Sequence, residues 1–275
     1  MPAQYGSLTF EEALQYLQEQ LALPTERWDD LLGAAHDRAF VVAGALQADL
    51  LLDLQAAVEK ARTEGITFEQ FQQEFERIVA ERGWTGWTGE DSEAGRAWRA
   101  RVIYETNLLV SEAAGRYQQM KQIADRRPYW RYRHDDSVVH PRAEHLAWDG
   151  KVLRHDDPWW SSHYPPNGFG CHCFVESLAE RDIRKGNLKV ETGTDLPYNG
   201  TVRYVDKRTG EEFELPQGVD PGWDHAPGAN TGTDLATLLR AKMAAWPEDL
   251  KRQALDALKD KVDAATWTEL SALLK

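Results

Sequence analysis

The chain has 275 residues, of which 42% are hydrophobic and 10% aromatic, and its formal net charge is −13. That length holds one large domain or two ordinary ones, and the apolar content belongs to a folded chain rather than a disordered one. The acidic excess disfavours a broad nucleic-acid-binding face and docking onto an acidic membrane surface, because both need clustered Lys and Arg.

The opening stretch MPAQYGSLTFEEALQ has neither a basic n-region nor an apolar h-region, so no signal peptide is expected. No run reaches the ~18 apolar residues of a membrane span. Cys171 and Cys173, one residue apart, cannot make a disulfide framework, and a bridge between them would be strained. Synthesis and retention in a cytoplasm are expected.

In chain order, Thr9-Phe10-Glu11-Glu12 is a capping-box pattern ahead of Leu14, Leu17 and Leu21 at helical spacing, and Pro24 stops that helix. Trp28, Leu31, Leu32, Ala35 and Ala39 continue a helical period. Leu46, Leu50, Leu54 and Val58 predict a helix over 45–62, ended by Gly65. A second capping box, Thr67-Phe68-Glu69-Gln70, opens a helix whose stripe of Phe68, Phe71, Phe75 and Ile78 reads as core; Gly83 closes it. The glycines of 83–89 follow no strand, so that loop does not read as a phosphate cradle. Residues 94–124 predict the longest helix, with Trp98, Val102, Leu109, Ala113, Tyr117 and Met120 on its buried side. Further on, 178–186 predict a helix, 201–205 and 211–215 alternate as a β-hairpin, 216–232 form a Gly/Pro-rich loop, and 233–275 carry helical patterns.

Between the helices lies a different kind of segment. Six of the eight histidines, both cysteines and four of the eleven tryptophans fall between Trp130 and Phe174. Asp149-Gly150, Pro165-Pro166 and Asn167-Gly168 are turn signals. The segment reads as a loop-rich module with short strands.

Several spaced motifs, in order, resemble the minor head protein (F-type) family of Mu-like bacteriophages, the phage head-morphogenesis proteins. They include Asp37 to Gly44, Ile103-Tyr104-Glu105-Thr106-Asn107-Leu108, Ala114-Gly115-Arg116-Tyr117, Arg142-Ala143-Glu144-His145-Leu146 and Asp149-Gly150-Lys151-Val152. Asp156-Asp157-Pro158-Trp159-Trp160, the run from Pro165 to Cys173, and Pro221-Gly222-Trp223-Asp224 follow. The resemblance covers nearly the whole chain. It implies a structural virion protein, present in few copies at the portal vertex or inner capsid and needed for head assembly or DNA ejection. Two positions depart from the family's pattern. His172 stands where the family usually has Arg, and His140 to His145 occupy a region where related members carry a Cys-x-x-Cys pair. Any metal site in this chain therefore depends on histidines.

The candidate residues divide into three groups. A structural zinc site needs four N or S ligands. Cys171 and Cys173 on an extended segment would point the same way, His145 is the best third ligand, and His140, His155 or His163 the fourth. The competing reading is two small buried thiols beside histidines bonded in a polar core. His134-Asp135-Asp136 and His155-Asp156-Asp157 could supply paired acid/base groups or hard-cation ligands, but no nucleophile elbow, phosphate loop or zinc-protease motif accompanies them. They also fit turn-forming aspartates. Glu105, Asn107 and Arg116 place polar groups on a packing helix, where they would anchor the module by hydrogen bonds. Trp159 and Trp160 form either a contact patch or the module's own core. The helical tail is a partner-binding candidate, or packs back onto the first domain.

The sequence thus predicts an α+β protein with a helical region over 1–127, a His/Trp/Cys-rich module with short antiparallel strands over 128–228, and a helical tail over 229–275. The expected role is structural, through contacts with portal and major capsid proteins in the virion and, during assembly, in the host cytoplasm. Packaged DNA would lie close without broad nucleic-acid binding, no membrane is involved, and zinc is the one cofactor considered. The alternative is a metal- or histidine-dependent nuclease or toxin-like enzyme. A third reading is an assembly chaperone that leaves the mature head.

Overall fold

The computed structural model of the protein describes residues 10–28, 30, 33–206, 210, 212–230, 239–240, 243, 247–259 and 262–272. It is mixed α+β and divides into two compact units, one of residues 1–111 with 230–275, the other of residues 112–229.

In the first unit, α1 spans Glu11–Glu19, with Phe10 at its N-cap and no side-chain bond there. Thr9 of the expected capping box lies outside the described residues. The chain then forms strand β1 (Leu21–Ala22), which pairs in parallel with β2 (Ala39–Phe40). The helical period expected from Trp28 to Ala39 gives way to a 3-10 turn at Gly33–Asp37. The cause is polar tethering: the Gln20 amide donates to the His36 carbonyl at 2.6 Å and the Tyr16 hydroxyl to Asp37 at 3.1 Å. Leu31 and Leu32 lie outside the described residues.

Helices α2 (Ala48–Glu64) and α3 (Phe68–Arg82) end at Gly65 and Gly83 as the spacing predicts, and the Thr67–Gln70 capping box is formed in both directions. Phe71, Phe75 and Ile78 are buried. The 83–89 loop closes this core: Trp84 and Trp87 stack at 5.3 Å and both meet Phe75 edge-on. The tail belongs to the same unit. Leu239, Met243, Leu255, Leu258 and Leu270 share a buried cluster with Leu21, Leu23 and Ala39. Its described helices are Glu248–Leu258 and Ala264–Ser271. Leu235 and Leu238 lie outside the described residues.

Helix α4 (Glu93–Gln122) is the longest among the described residues, and its last turns belong to the second unit. Its buried side is only partly the one expected: Met120 is buried, and Ala113 and Tyr117 pack against the same cluster. Trp98 is 49% exposed, whereas Ala100, Ile103, Ser111 and Ala114 are buried. Those four form two pairs eleven positions apart, about three turns of a 3.6-residue helix. Small residues carry the stripe, so a reading of large apolar side chains misplaces it.

The second unit is built on a three-stranded antiparallel sheet of order β4-β3-β5, with β3 (Tyr129–Arg133) central between β4 (Val152–Arg154) and β5 (Phe174–Leu178). Helices α5 (Ala143–Trp148), α6 (Trp160–His163) and α7 (Glu180–Gly186) interrupt or follow the strands. A hairpin of β6 (Thr201–Val205) and β7 (Glu212–Pro216) completes it. Trp130 and Tyr132 project from β3 into the core, where they meet Trp148, Trp159, Trp160 and Tyr164. The rings meet mostly edge-to-face at 5–6 Å, the arrangement their quadrupoles favour.

Candidate metal centre

Four segments of the second unit converge on one point. Alternation along β3 sends Trp130 and Tyr132 inward, and the same parity carries the next inward position, His134, to the end of the strand. Asp149 fixes this corner: its carboxylate accepts from the His134 backbone N–H at 2.9 Å and from Arg133 at 3.1 Å. Helix α5 supplies His145. The loop entering β5 supplies Cys171 and Cys173, and the loop after β7 covers them.

The His145 Nδ1 atom lies 3.7 Å from the Cys171 sulfur and 3.6 Å from the Cys173 sulfur. The His134 Nδ1 lies 3.5 Å from Cys173. One ligand atom each from His145, Cys171 and Cys173 fall within 4.8 Å of one another, the one such His/Cys/Asp/Glu group among the described residues. All four residues are buried, from 2% exposure for His145 to 8% for His134. A cavity of about 100 Å³ adjoins them, lined in part by His134, His140, Arg142, His145 and both cysteines.

The surroundings set ring orientation and charge. His145 Nε2 lies 2.9 Å from the Gly218 carbonyl, so a hydrogen on Nε2 donates there and the Nδ1 lone pair faces the sulfurs. Gly218 has φ +75°, and a Cβ on it would sit 2.6 Å from Trp148 and 2.7 Å from Glu144. Only glycine brings that carbonyl so near α5. Arg142 pairs with Asp220 at 2.6 Å, and the Asp220 backbone N–H donates to the Asn167 carbonyl at 2.9 Å, which ties the covering loop to the cysteine loop. The Tyr132 hydroxyl donates to Asn167 at 2.8 Å. A hydrogen bond from Cys173 holds the Cys171 thiol well below its ordinary pKa, with His145 adding to the effect against burial. Its neighbour Cys171, and then burial, push the Cys173 thiol up. The pair thus favours one thiolate sharing one proton.

Of the histidines considered from sequence, His145 is in the cluster and His140 is an exposed residue on the cavity wall. His155 meets the Trp130 ring at 6.1 Å, and His163 stacks on Trp159 at 4.5 Å. Both belong to the aromatic core. His134, which also touches a cysteine, enters the sequence reading through its His-Asp-Asp triplet and not as a partner of the two cysteines. Strand parity was the signal that could have found it.

The neighbouring carboxylates serve turns. Asp135 accepts from the Ser137 backbone at 2.8 Å, and Asp157 accepts from the backbone of Trp159 at 2.9 Å and of Gly193 at 3.1 Å. Trp159 and Trp160 are buried, at 7% and 3% exposure, inside the unit's own core. On α4, Glu105 pairs with Arg101, Asn107 donates to the Ile103 carbonyl and Arg116 pairs with Glu112, so each has a partner on its own helix.

The second unit is thus a loop-rich α+β module built around a buried Cys/His cluster. Residues 53–176 match the family described as Phage Mu protein F like protein. The chain is 35% identical over 253 residues to the Mu-like prophage FluMu F protein of Haemophilus influenzae, covering 86% of this chain and 60% of that one. It is 32% identical over 272 residues to the putative capsid assembly protein F of Escherichia phage Mu, covering 91% of this chain and 61% of that protein. The chain therefore spans about three-fifths of the length of these relatives. No solved structure matches it.

Proposed function

We propose that the protein is a structural component of a Mu-like phage head, acting by protein–protein contacts in head assembly. The observation that carries this reading is the similarity to a capsid assembly protein over 91% of the chain. Portal and major capsid proteins are the proposed partners, with a position near the portal vertex and a low copy number. The net charge of −13 restricts contact with packaged DNA to local patches. The cytoplasm of the host is where assembly takes place. No described helix is long and apolar enough to cross a membrane.

A non-catalytic role fits the way polar groups are used in the second unit. Of the carboxylates in its two His-Asp-Asp triplets, Asp135 and Asp157 are engaged by turn backbone and Asp156 by Arg154, and the sulfur–imidazole cluster is buried beside a cavity of about 100 Å³. The test is gene deletion in the encoding phage with electron microscopy of the lysate. The expected result is failed or aberrant heads, restored by the gene supplied in trans. Normal, filled heads without the protein would overturn the reading. Reproducible DNA or RNA cleavage by the purified protein, abolished by His145→Ala, would favour a nuclease.

A further inference from the structure

We propose that Cys171, Cys173, His145 and His134 form a closed, tetrahedral structural zinc site. The proposal is independent of the capsid reading, since it concerns how the second unit holds its shape.

The distances carry the argument. Zinc bonds of about 2.3 Å to sulfur and about 2.0–2.1 Å to imidazole nitrogen, at tetrahedral angles, put N and S ligands about 3.6 Å apart along a tetrahedron edge. The three S···N separations here are 3.5, 3.6 and 3.7 Å. Hard cations such as magnesium and calcium take oxygen ligands, whereas two thiolates and two imidazoles suit zinc.

The second observation is the ring opposite the sulfurs. A metal-bound imidazole commonly donates its other N–H to a backbone carbonyl, which fixes the tautomer that presents a lone pair to the ion. His145 makes that bond to Gly218, through an approach that only glycine permits. His134 Nδ1 lies 3.5 Å from Cys173 but outside the group of three whose ligand atoms fall within 4.8 Å of one another, so the His134 ring turns towards Cys171 when it supplies the fourth ligand. His140 is exposed and His172 half-buried, so neither matches the burial of the four ligands. Binding releases the proton that the two sulfurs share to solvent. The ion then joins the end of β3, α5 and the entry to β5, while His145 holds the 216–220 loop.

The test uses tag-free full-length protein purified with zinc and without chelator. Elemental analysis is expected to find one zinc per chain, and X-ray absorption on the same wild-type sample a shell of two sulfurs and two nitrogens. Cobalt exchange should give thiolate charge-transfer bands and intense tetrahedral ligand-field bands. His134→Ala should lower metal affinity by more than the about 10–100-fold typical of losing an outer-shell partner, with His140→Ala unchanged. Wild-type protein that holds no zinc and takes up no cobalt would overturn the proposal, as would an oxygen/nitrogen-only shell. His134→Ala binding as tightly as wild type would overturn the ligand assignment. The wild-type measurements decide the matter even if a variant fails to fold.

Discussion

His134 and Cys173 face each other one step beyond the last paired residues of the β3–β5 ladder, Arg133 and Phe174, and their Nδ1 and Sγ atoms are 3.5 Å apart. The contact is a cross-strand pair continued past the sheet, so strand register sets it. If an ion bridges the pair, stripping the metal with a strong chelator removes a staple between the ends of β3 and β5. The thermal midpoint should fall, and amide exchange should rise at 131–134 and 172–176 before it rises in α2 and α3. Unchanged exchange at those strands after verified metal removal would contradict this.

Gly218 lies behind the His145 ring. Gly218→Ala puts a methyl 2.6 Å from Trp148 at a φ of +75°. A cost of about 1–3 kcal/mol is expected from strain of that kind, measured by urea unfolding. In the same variant, His145 loses its backbone partner. The expected mark of that loss is metal affinity lowered about 10–100-fold, beyond what Gly83→Ala, a positive-φ glycine of the first unit, should cause.

Trp148 is the pivot of the second unit. It is fully buried, donates to the Pro197 carbonyl at 2.8 Å and stacks on His145 at 5.4 Å. Trp148→Ala should destabilise the protein by about 3–5 kcal/mol, and Trp148→Phe by less. A loss below about 1 kcal/mol for the alanine variant, read from denaturant midpoints, would show that this core tolerates a cavity.

His163 makes stability depend on acidity. Burial, first of all, lowers its pKa to about 4; it stacks on Trp159 and meets the Trp148 ring edge-on. The unfolded chain's imidazole titrates near about 6.5. Between those values the unfolded chain binds a proton that the folded chain refuses, so stability falls as pH drops from 6.5 towards 4. The full effect is on the order of 3 kcal/mol. Denaturant midpoints at pH 7 and pH 4.5 should differ less in His163→Phe than in wild type. Equal differences would remove His163 from the account.

Asp37 gathers hydrogen-bond donors from distant parts of the first unit. Its buried carboxylate accepts from Tyr16 at 3.1 Å and from the backbone and side chain of Asn230 at 2.9 and 3.1 Å. Asp37→Ala should cost about 1–3 kcal/mol for each donor left unsatisfied, and Asp37→Asn less. Calorimetry of the two variants checks the order.

The parts of this structure that were readable in sequence are those that local chemistry determines. The Thr67 capping box, the Phe71–Phe75–Ile78 stripe and the 201–216 hairpin each follow from short-range spacing, and the grouping of His145 with Cys171 and Cys173 follows from the ligand chemistry of those residue types. What escaped depends on contacts between distant residues. The β1–β2 pair is two residues long on each side and joins chain far apart in sequence. The buried side of α4 runs through alanine and serine, which carry little hydropathy signal. His134 was hidden by the aspartates after it, although the alternation Trp130–Tyr132–His134 already placed it inward. A helical pattern in the tail shows an apolar face but not what that face covers. Here it meets Leu21, Leu23 and Ala39.

The most direct test of the proposed role is quantitative mass spectrometry of gradient-purified mature heads from the encoding phage. The account predicts peptides from this chain at a few copies per particle, far below the major capsid protein. Their absence from mature heads, in preparations where the portal protein is readily detected, would contradict it.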